Sequence, residues 1–369
     1  MMNLFDMCKI GGTSVKYFDG ARKYIATGDI IDNEIVSYEL VNYNNKPSRA
    51  NVEIKHNDVL FAKMKDTVKV FKANENNINN IYSTGFYCMT PNDNVLQEYL
   101  YYYFRSESFN SQKNKNCSGA TQKAINNEGL KKIKIKFLPG LEKQNKIVKE
   151  LSCVERIINI KNEEVNKLNL LVKSQFVEMF GTIKNNEKFN YVSIGKLIDK
   201  DIIKLKKKFK DGDEIKYIDI SSIDNSKNIM TGYTEYKVGN EPSRAQQCLK
   251  YNDIVISTVR PNLKNVATNK YIDDNIIGTS GFCVLRCRSC TTEYLKYIVL
   301  SDDFTNDMSS ITTGANYPAI HSEDIYNYQI PNPPIELQNK FSQIVEQIDK
   351  QKFVIGNLCQ IIGKMSILC

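Results

Sequence analysis

The amino-acid sequence predicts an α+β fold, in which two similar mixed α/β domains are separated by two long helices that pair as an antiparallel coiled coil. Two observations predict it: short segments recur in order at a nearly constant spacing, and two long stretches carry an apolar seam with heptad spacing. The halves would then form a pseudo-twofold internal repeat. With 369 residues, of which 41% are hydrophobic, the chain is long enough for two domains.

The repeat consists of seven ordered matches, separated by 193 to 196 positions. The matched segments are Lys23–Ile25 with Lys216–Ile218, Pro47–Ala50 with Pro242–Ala245, Asn57–Asp58 with Asn252–Asp253, Gly85–Phe86 with Gly281–Phe282, Glu98–Leu100 with Glu293–Leu295, Gly119–Ala120 and Ala124–Ile125 with Gly314–Ala315 and Ala319–Ile320, and Gln144–Lys146 with Gln338–Lys340. The residues between the matches differ. Two similar frameworks with different surfaces indicate a chain that reads two different short targets.

Each half shows the same order of predicted elements. Apolar runs that follow Asn-Asp turns predict buried strands at Val59–Phe61 and Ile254–Ile256. Aromatic-rich stretches predict short helices, and a closing strand follows before a proline-containing junction. The helices are predicted at Glu98–Ser106 and Glu293–Ser301, and the closing strands at Ile133–Phe137 and Tyr328–Ile330.

Two long helices follow the junctions at Pro139 and Pro333–Pro334. Their apolar residues recur at steps of three and four over Ile147–Met179 and Leu337–Met365, with one polar interruption in each seam. A seam this long favours pairing between the two helices. The alternative is that each helix packs only on its own domain.

The composition excludes several classes of protein. Only two histidines occur, His56 and His321, so a His-based triad or a His-rich metal site is not expected. Ten Cys residues are sparse for a disulfide scaffold, and no run of 18 apolar residues occurs, so we expect free thiols, a cytoplasmic location and no membrane contact. The net charge of +8 favours a polyanion partner. An alternative explanation for part of the lysine excess is a bias of the genome towards A/T-rich codons, which encode Lys.

Two motifs suggest chemistry but have structural interpretations, and one lysine-rich segment stays open. Cys283, Cys287 and Cys290 have the spacing of a radical S-adenosylmethionine iron–sulfur motif, but they overlap a repeated strand. Asn332–Ile335 resembles the Asn-Pro-Pro-aromatic motif of adenine methyltransferases, with Ile where the aromatic residue would stack on a flipped base. The segment Lys204–Lys210 contains five lysines, and two interpretations of it stay open: a solvated loop, or a loop that contacts phosphate. No phosphate-binding or nucleophile-elbow motif occurs, so we expect no catalytic site, metal or cofactor in this chain.

The segments that lead into the two long helices resemble those of a known protein family. A proline followed five residues later by Gln, at Pro139 with Gln144 and at Pro333 with Gln338, leads into heptad helices. With the loop segments Ser118–Gln122 and Thr313–Tyr317, this organisation resembles the specificity subunit of Type I restriction-modification systems, over nearly the whole chain. Residues 1–137 and 185–331 would be target-recognition domains, and residues 138–184 and 332–369 would be central and C-terminal conserved helical spacers. Met1–Tyr24 is shorter than its counterpart.

The resemblance implies a function in which each domain reads one half of a bipartite site on double-stranded DNA. It implies assembly with two adenine-N6 modification subunits, which hold S-adenosylmethionine, and with two restriction subunits where the system has them, which use ATP and Mg²⁺. The helices would set the spacing of the half-sites and dock these subunits. Two alternatives stay open: a fused adenine methyltransferase-specificity enzyme, and a coiled-coil scaffold that does not bind DNA.

Residue types that grip phosphate or read base edges supply the candidate DNA contacts. The candidates are Arg49, Lys63, Lys65, Gln122, Lys123, Arg244, Arg260, Lys264, Asn316 and Tyr317. Lys65 and Arg260 occupy equivalent positions after a buried strand, where a side chain can face a groove. Arg49 and Arg244 are identical in the two halves, which favours a phosphate contact or a structural role over the choice of a base.

Overall fold

The same order of strands and helices occurs twice in the chain. The computed structural model describes residues 2–31, 33–313 and 318–368, of which residues 358–368 are described as helical backbone. Its contacts divide the chain into a first unit, Met1–Asn162 with Gly356–Cys369, and a second unit, Glu163–Ile355. This division cuts through the long helices, so the predicted boundaries of the domains and spacers stay predictions.

Twelve strands in each unit are formed by the described residues, and they correspond one to one in chain order. The strands of the first unit are β1 (Met2–Asn3), β2 (Cys8–Ile10), β3 (Arg22–Ile25), β4 (Ile30–Ile31), β5 (Glu34–Ile35), β6 (Glu39–Val41), β7 (Ala50–Val52), β8 (Val59–Ala62), β9 (Val70–Lys72), β10 (Ile81–Ser83), β11 (Phe86–Pro91) and β12 (Lys134–Ile135). The strands of the second unit are β13 (Tyr191–Ser193), β14 (Ile198–Asp199), β15 (Glu214–Ile218), β16 (Ile223–Asp224), β17 (Ile229–Met230), β18 (Thr234–Lys237), β19 (Ala245–Cys248), β20 (Ile254–Ser257), β21 (Val266–Thr268), β22 (Ile276–Thr279), β23 (Phe282–Cys287) and β24 (Gln329–Pro331).

The helices repeat as well. In chain order they are α1 (Gln97–Arg105), α2 (Glu107–Lys115), α3 (Asn127–Lys131), α4 (Leu141–Phe180), α5 (Ile194–Leu197), α6 (Leu205–Lys208), α7 (Thr292–Val299), α8 (Asp302–Ser310), α9 (Ser322–Asn327) and α10 (Ile335–Leu368). Helices α1 and α7 confirm the two predicted aromatic-rich helices, and α4 and α10 confirm the two predicted long ones. None of the helices in the described ranges is both long and apolar enough to cross a membrane.

Each unit contains two four-stranded sheets of matching topology. One has the order β6-β3-β10-β7 in the first unit and β18-β15-β22-β19 in the second. The other has the order β2-β11-β8-β9 and β14-β23-β20-β21, and it contains the predicted strands β8 and β20. Parallel pairing occurs at β3 with β10 and at β15 with β22. The shorter N-terminus still forms β1 and β2, which pair with β12 and β11 as their counterparts do.

The repeated Asn-Asp pair forms the same turn in both units. Asn57 and Asn252 have left-handed φ angles of 69° and 68°, a conformation that Asn adopts more readily than most residues. Each following aspartate is 1% exposed, and its carboxylate accepts a hydrogen bond from the backbone three residues earlier. The other partners differ: Asp58 binds Thr90, whereas Asp253 pairs with the Arg286 guanidinium at 2.7 Å. The two units therefore share the geometry of this turn, whereas the side chains that bind its aspartate differ.

The heptad seam lies on the less exposed face of α4. In the second unit, the rings of Phe176 and Phe180 lie 5.5 and 5.4 Å from the Phe341 ring, in a core that also contains Val172 and Val345. The end of α4 thus packs beside the beginning of α10, as in an antiparallel pair. This packing confirms the predicted pairing of the helices over the turns that the second unit contains.

A buried glutamine joins each long helix to its domain. Gln144 and Gln338 are 0% and 1% exposed. The Gln144 amide donates to the Pro139 carbonyl at 2.8 Å and accepts from the Leu96 backbone at the start of α1, at 2.9 Å. Gln338 makes the equivalent bonds to the residues before α10 and α7. The proline-to-glutamine junction in the sequence is therefore a hydrogen-bonded joint between two helices.

Replacing Gln338 by Leu tests this joint. The change keeps a buried side chain of similar size but leaves the Thr291 amide and the Pro333 carbonyl without their partner. We expect the free energy of unfolding to fall by about 1–3 kcal/mol for each group left unpaired. Urea unfolding followed by circular dichroism measures the loss. Gln343→Leu, on the exposed face of α10, is the matched control, with a change within about 0.5 kcal/mol. Equal midpoints for the two variants would contradict the joint.

Candidate nucleic-acid interface

Four loops come together at one edge of each unit. We call them the first loop edge, residues 47–50, 63–69, 83–86 and 118–125, and the second loop edge, residues 242–245, 258–265, 279–282, 313 and 318–320. They include the repeated Pro-Ser-Arg segment, the loop after β8 or β20, the turn before β11 or β23, and the late loop. Residues 314–317 of the late loop lie outside the described residues.

Backbone hydrogen bonds connect the loops in the same way in both units. In the first loop edge they are Thr84 N to Arg49 O, Lys63 N to Gly85 O, Lys65 N to Lys123 O, and Ile125 N to Lys63 O, each 2.9 Å long. In the second loop edge they are Ser280 N to Arg244 O, Thr258 N to Gly281 O, Arg260 N to Pro318 O, and Ile320 N to Thr258 O, with lengths of 2.7 to 3.0 Å. Four loops distant in sequence are thereby held at fixed positions, which pre-organises the side chains that they carry.

The late loop requires its repeated glycine in the first unit. Gly119 has a φ of +129°, and a Cβ atom there would lie 2.4 Å from the Gln122 carbonyl oxygen. The loop closes through the paired bridge of Ser118 with Ala124, and the second unit has the same bridge between Thr313 and Ala319. Glycine therefore permits the tight approach that places Gln122 and its neighbour at the loop edge.

The structure brings all five candidates of the first unit to one loop edge. Arg49, Lys65, Gln122 and Lys123 are exposed. Lys63 is half-buried, with its ammonium 4.3 Å from the centre of the Tyr87 ring, and burial lowers the pKa of Lys63. Three cations and one amide thus face solvent from connected loops, while the fourth cation lies over an aromatic ring.

The second loop edge carries three described candidates. Arg244 and Arg260 are exposed, and Arg260 occupies the place of Lys65 in the hydrogen-bonded frame, which confirms the predicted equivalence of the two positions. Lys264 is half-buried and forms an ion pair with Asp302 at the start of α8. Asn316 and Tyr317 lie outside the described residues.

Sequence reasoning missed Asn262, which lies at the exposed turn between Arg260 and Lys264. A Pro-Asn pair between two apolar runs is a turn signal, and it was available in the sequence. It also missed Lys113 and Asn114, which hold the corresponding loop of the first unit from α2. No sequence pattern identifies those two as partners, because about fifty residues separate them from the loop.

The three cysteines of the motif are buried or half-buried among other protein groups. Cys283 lies in β23, and burial raises its pKa to about 11. The Cys290 thiol donates to the Leu197 carbonyl at 3.8 Å, and its contact with the Cys287 thiol, together with burial, raises the pKa of Cys290. Among the described residues, no group of three or more His, Cys, Asp or Glu side chains could hold a metal ion.

The loop edges carry the exposed side chains of a binding surface. Exposed arginine and lysine groups attract phosphate, and exposed amides can hydrogen-bond base edges. The frame is common to the two units, and the exposed side chains at equivalent positions differ, as with Lys65 and Arg260. Such a pair of surfaces fits two related but unlike stretches of nucleic acid.

Comparison with known proteins gives a consistent family. The model of the Type I restriction modification DNA specificity domain matches twice, at residues 1–170 and 183–357. The Type I restriction enzyme MjaVIII specificity subunit of Methanocaldococcus jannaschii is 25% identical over 271 residues, which cover 68% of this chain and 63% of the relative. The MjaIX specificity subunit of the same organism is 34% identical over 107 residues, 28% of this chain and 24% of the relative.

A solved structure supports the fold. This chain is similar, with a TM-score of 0.57 and 19% identity, to a chain from a structure that concerns complex assembly and conformational transition of the type I R-M system. The match covers 100% of this chain and 95% of that one. The chain spans under two thirds of the length of the two curated relatives. Because the family model matches both halves of the chain, the chain belongs to the family of Type I restriction modification DNA specificity domains.

Proposed function

We propose that the chain is the DNA sequence-recognition subunit of a Type I restriction-modification complex. Each loop edge reads one half of a bipartite site on double-stranded DNA. The observation that carries this proposal is the pair of loop edges, which share one hydrogen-bonded frame and present different cations and amides. The names of the relatives, which are specificity subunits, support the same assignment.

We infer that the chain supplies recognition and its partners supply chemistry. Two modification subunits would bind S-adenosylmethionine and methylate adenine N6, and two restriction subunits, where present, would use ATP and Mg²⁺. Helices α4 and α10 would dock these subunits and set the gap between the half-sites. The apolar side chains that α4 leaves exposed, such as Ile160 at 53% and Leu170 at 62%, support docking on this helix.

Within each loop edge the candidates divide by the contact that they suit. Arg49 and Arg244, identical in the two units and placed on the same turn, would grip phosphate. Lys65, Arg260 and Gln122 would reach base edges, with Lys63 and Lys123 beside them. Asn316 and Tyr317 remain predictions for the second half-site.

Replacing Lys65 or Arg260 by Gln tests the reading surface. We expect each change to weaken binding of the assembled modification complex to its site, by about 1–3 kcal/mol where the side chain reads a base edge. A phosphate contact would instead lower the salt dependence of binding by about one unit of slope. Titrations at several salt concentrations separate the two effects.

The control for these variants is Lys131→Gln, an exposed lysine on α3 outside the loop edges. It should leave affinity and salt dependence unchanged. If Lys65→Gln and Arg260→Gln behave like this control, with full affinity and unaltered specificity, the loop edges are not the reading surface.

Exchange of one domain tests whether each unit recognises its half-site independently. We expect a chimera that carries residues 187–328 of a relative to methylate a motif in which only one half has changed, because each unit has its own complete frame. Methylation sequencing of a host that expresses the chimera with its modification subunits gives the motif. An active chimera with both halves altered would contradict independent readers.

A further inference from the structure

The turn between β20 and β21 has an unusual backbone at its tip. Its central residues, Pro261–Leu263, form a 3-10 turn, and the flanking Arg260 and Lys264 are left-handed, each with a φ of 51°. Left-handed backbone is uncommon for residues other than glycine, and it persists where the surrounding structure holds it in place. We call Arg260–Lys264 the tip turn.

Five contacts hold the tip turn from three neighbouring segments: the start of α8, the segment between β16 and β17, and the late loop. The Lys264 ammonium pairs with Asp302 and lies 3.2 Å from the Leu300 carbonyl oxygen, which fastens the turn to α8. The side-chain amides of Asn225 and Asn228, between β16 and β17, donate to the carbonyls of Leu263 and Lys264 at 2.9 and 3.1 Å. The Arg260 amide donates to the Pro318 carbonyl of the late loop. The tip turn is therefore pre-organised.

The first unit holds its corresponding loop with different residues. There the Asp66 amide donates to Asn114 of α2 at 2.9 Å, and the Asn114 side chain donates back to the Asp66 carboxylate at the same distance. The buried Lys113 donates to the Thr67 carbonyl of the same loop. In the two units, different side chains thus fasten the equivalent loop to the equivalent helix, α2 or α8. The position of the loop is kept although its contacts differ, which indicates that the position has a function in both units.

We propose that the tip turn reads a base pair of the second half-site, with Asn262 as a further specificity-determining residue and Lys264 as a positioning residue. The inference rests on the proposed function. Asn262 is exposed, and its side chain has no hydrogen-bond partner among the described residues. Its amide offers the donor and acceptor that match the major-groove edge of adenine. Lys264, in contrast, already has its charge matched by Asp302 and is half-buried.

The test for Lys264 measures two quantities on the assembled modification complex: the salt dependence of DNA binding and the preference for the target over DNA altered in the second half-site. A positioning role predicts that Lys264→Met leaves the salt slope unchanged and lowers the preference. Asp302→Asn should lower the preference similarly, and the double variant should lower it no further than either single change. Lys264→Arg, which can keep the ion pair, should restore the preference.

A phosphate contact at Lys264 predicts the opposite pattern. The salt slope would fall by about one unit in Lys264→Met, and Asp302→Asn would strengthen binding because it frees the ammonium. Either result overturns the positioning role. Lys184→Met is the matched control, since it removes another lysine–aspartate pair on α8, at 2.6 Å to Asp307, away from the tip turn. It should change neither quantity.

The test for Asn262 is Asn262→Ala, which should lower discrimination at one base pair of the second half-site by about tenfold or more. Discrimination at every pair of the first half-site should stay unchanged. Full discrimination at all pairs of the second half-site would overturn the role of Asn262. Failure of the proposed function is a separate result: in that case the wild-type complex itself would show no preference for any site.

Discussion

The arrangement of the chain depends on the buried glutamine at the head of each long helix. Backbone groups at a helix start lack intrahelical partners, and a buried one that stays unpaired costs free energy. The side-chain amide of Gln144 or Gln338 pairs at once with a proline carbonyl before the long helix and with the backbone N–H of the residue that caps the start of α1 or α7. Because hydrogen bonds are directional, the joint fixes the angle at which a long helix leaves its domain. The proposed role of the helices in spacing the half-sites requires a rigid attachment of this kind at each end.

A common frame with unlike surroundings recurs throughout the molecule. The Asn-Asp turn keeps its geometry while its buried carboxylate binds Thr90 in one unit and Arg286 in the other. The loop edges keep their backbone hydrogen bonds while the exposed residues change, and the loops are fastened to α2 and α8 by different side chains. Duplication followed by divergence explains this pattern. The backbone scaffold tolerates new surface chemistry because its own polar groups are satisfied internally.

Much of the fold could be predicted from the sequence, because its signals are local or repeated. Apolar heptads identified α4 and α10, apolar runs after Asn-Asp turns identified β8 and β20, and the constant offset paired Lys65 with Arg260. The parallel pairing of β3 with β10 could not be predicted, because the strands are joined through distant segments. The partner of Lys264 could not be predicted either, since Asp302 lies 38 positions later and an ion pair leaves no pattern in the chain. Local periodicity gives elements, whereas pairing between distant side chains requires the folded geometry.

The central claim is that α4 and α10 set the distance between the two loop edges, and that each loop edge recognises its own half-site independently of the other. The most direct test inserts four residues after Lys161 in α4 and four after Ile355 in α10. At 1.5 Å per residue each helix gains about 6 Å, and four residues nearly restore the seam to its face. At roughly 3.4 Å per base pair, methylation sequencing should show a gap longer by about one to two base pairs, between half-sites with unchanged bases. An unchanged gap in an active complex would contradict the claim, because the spacing would then come from the partner subunits.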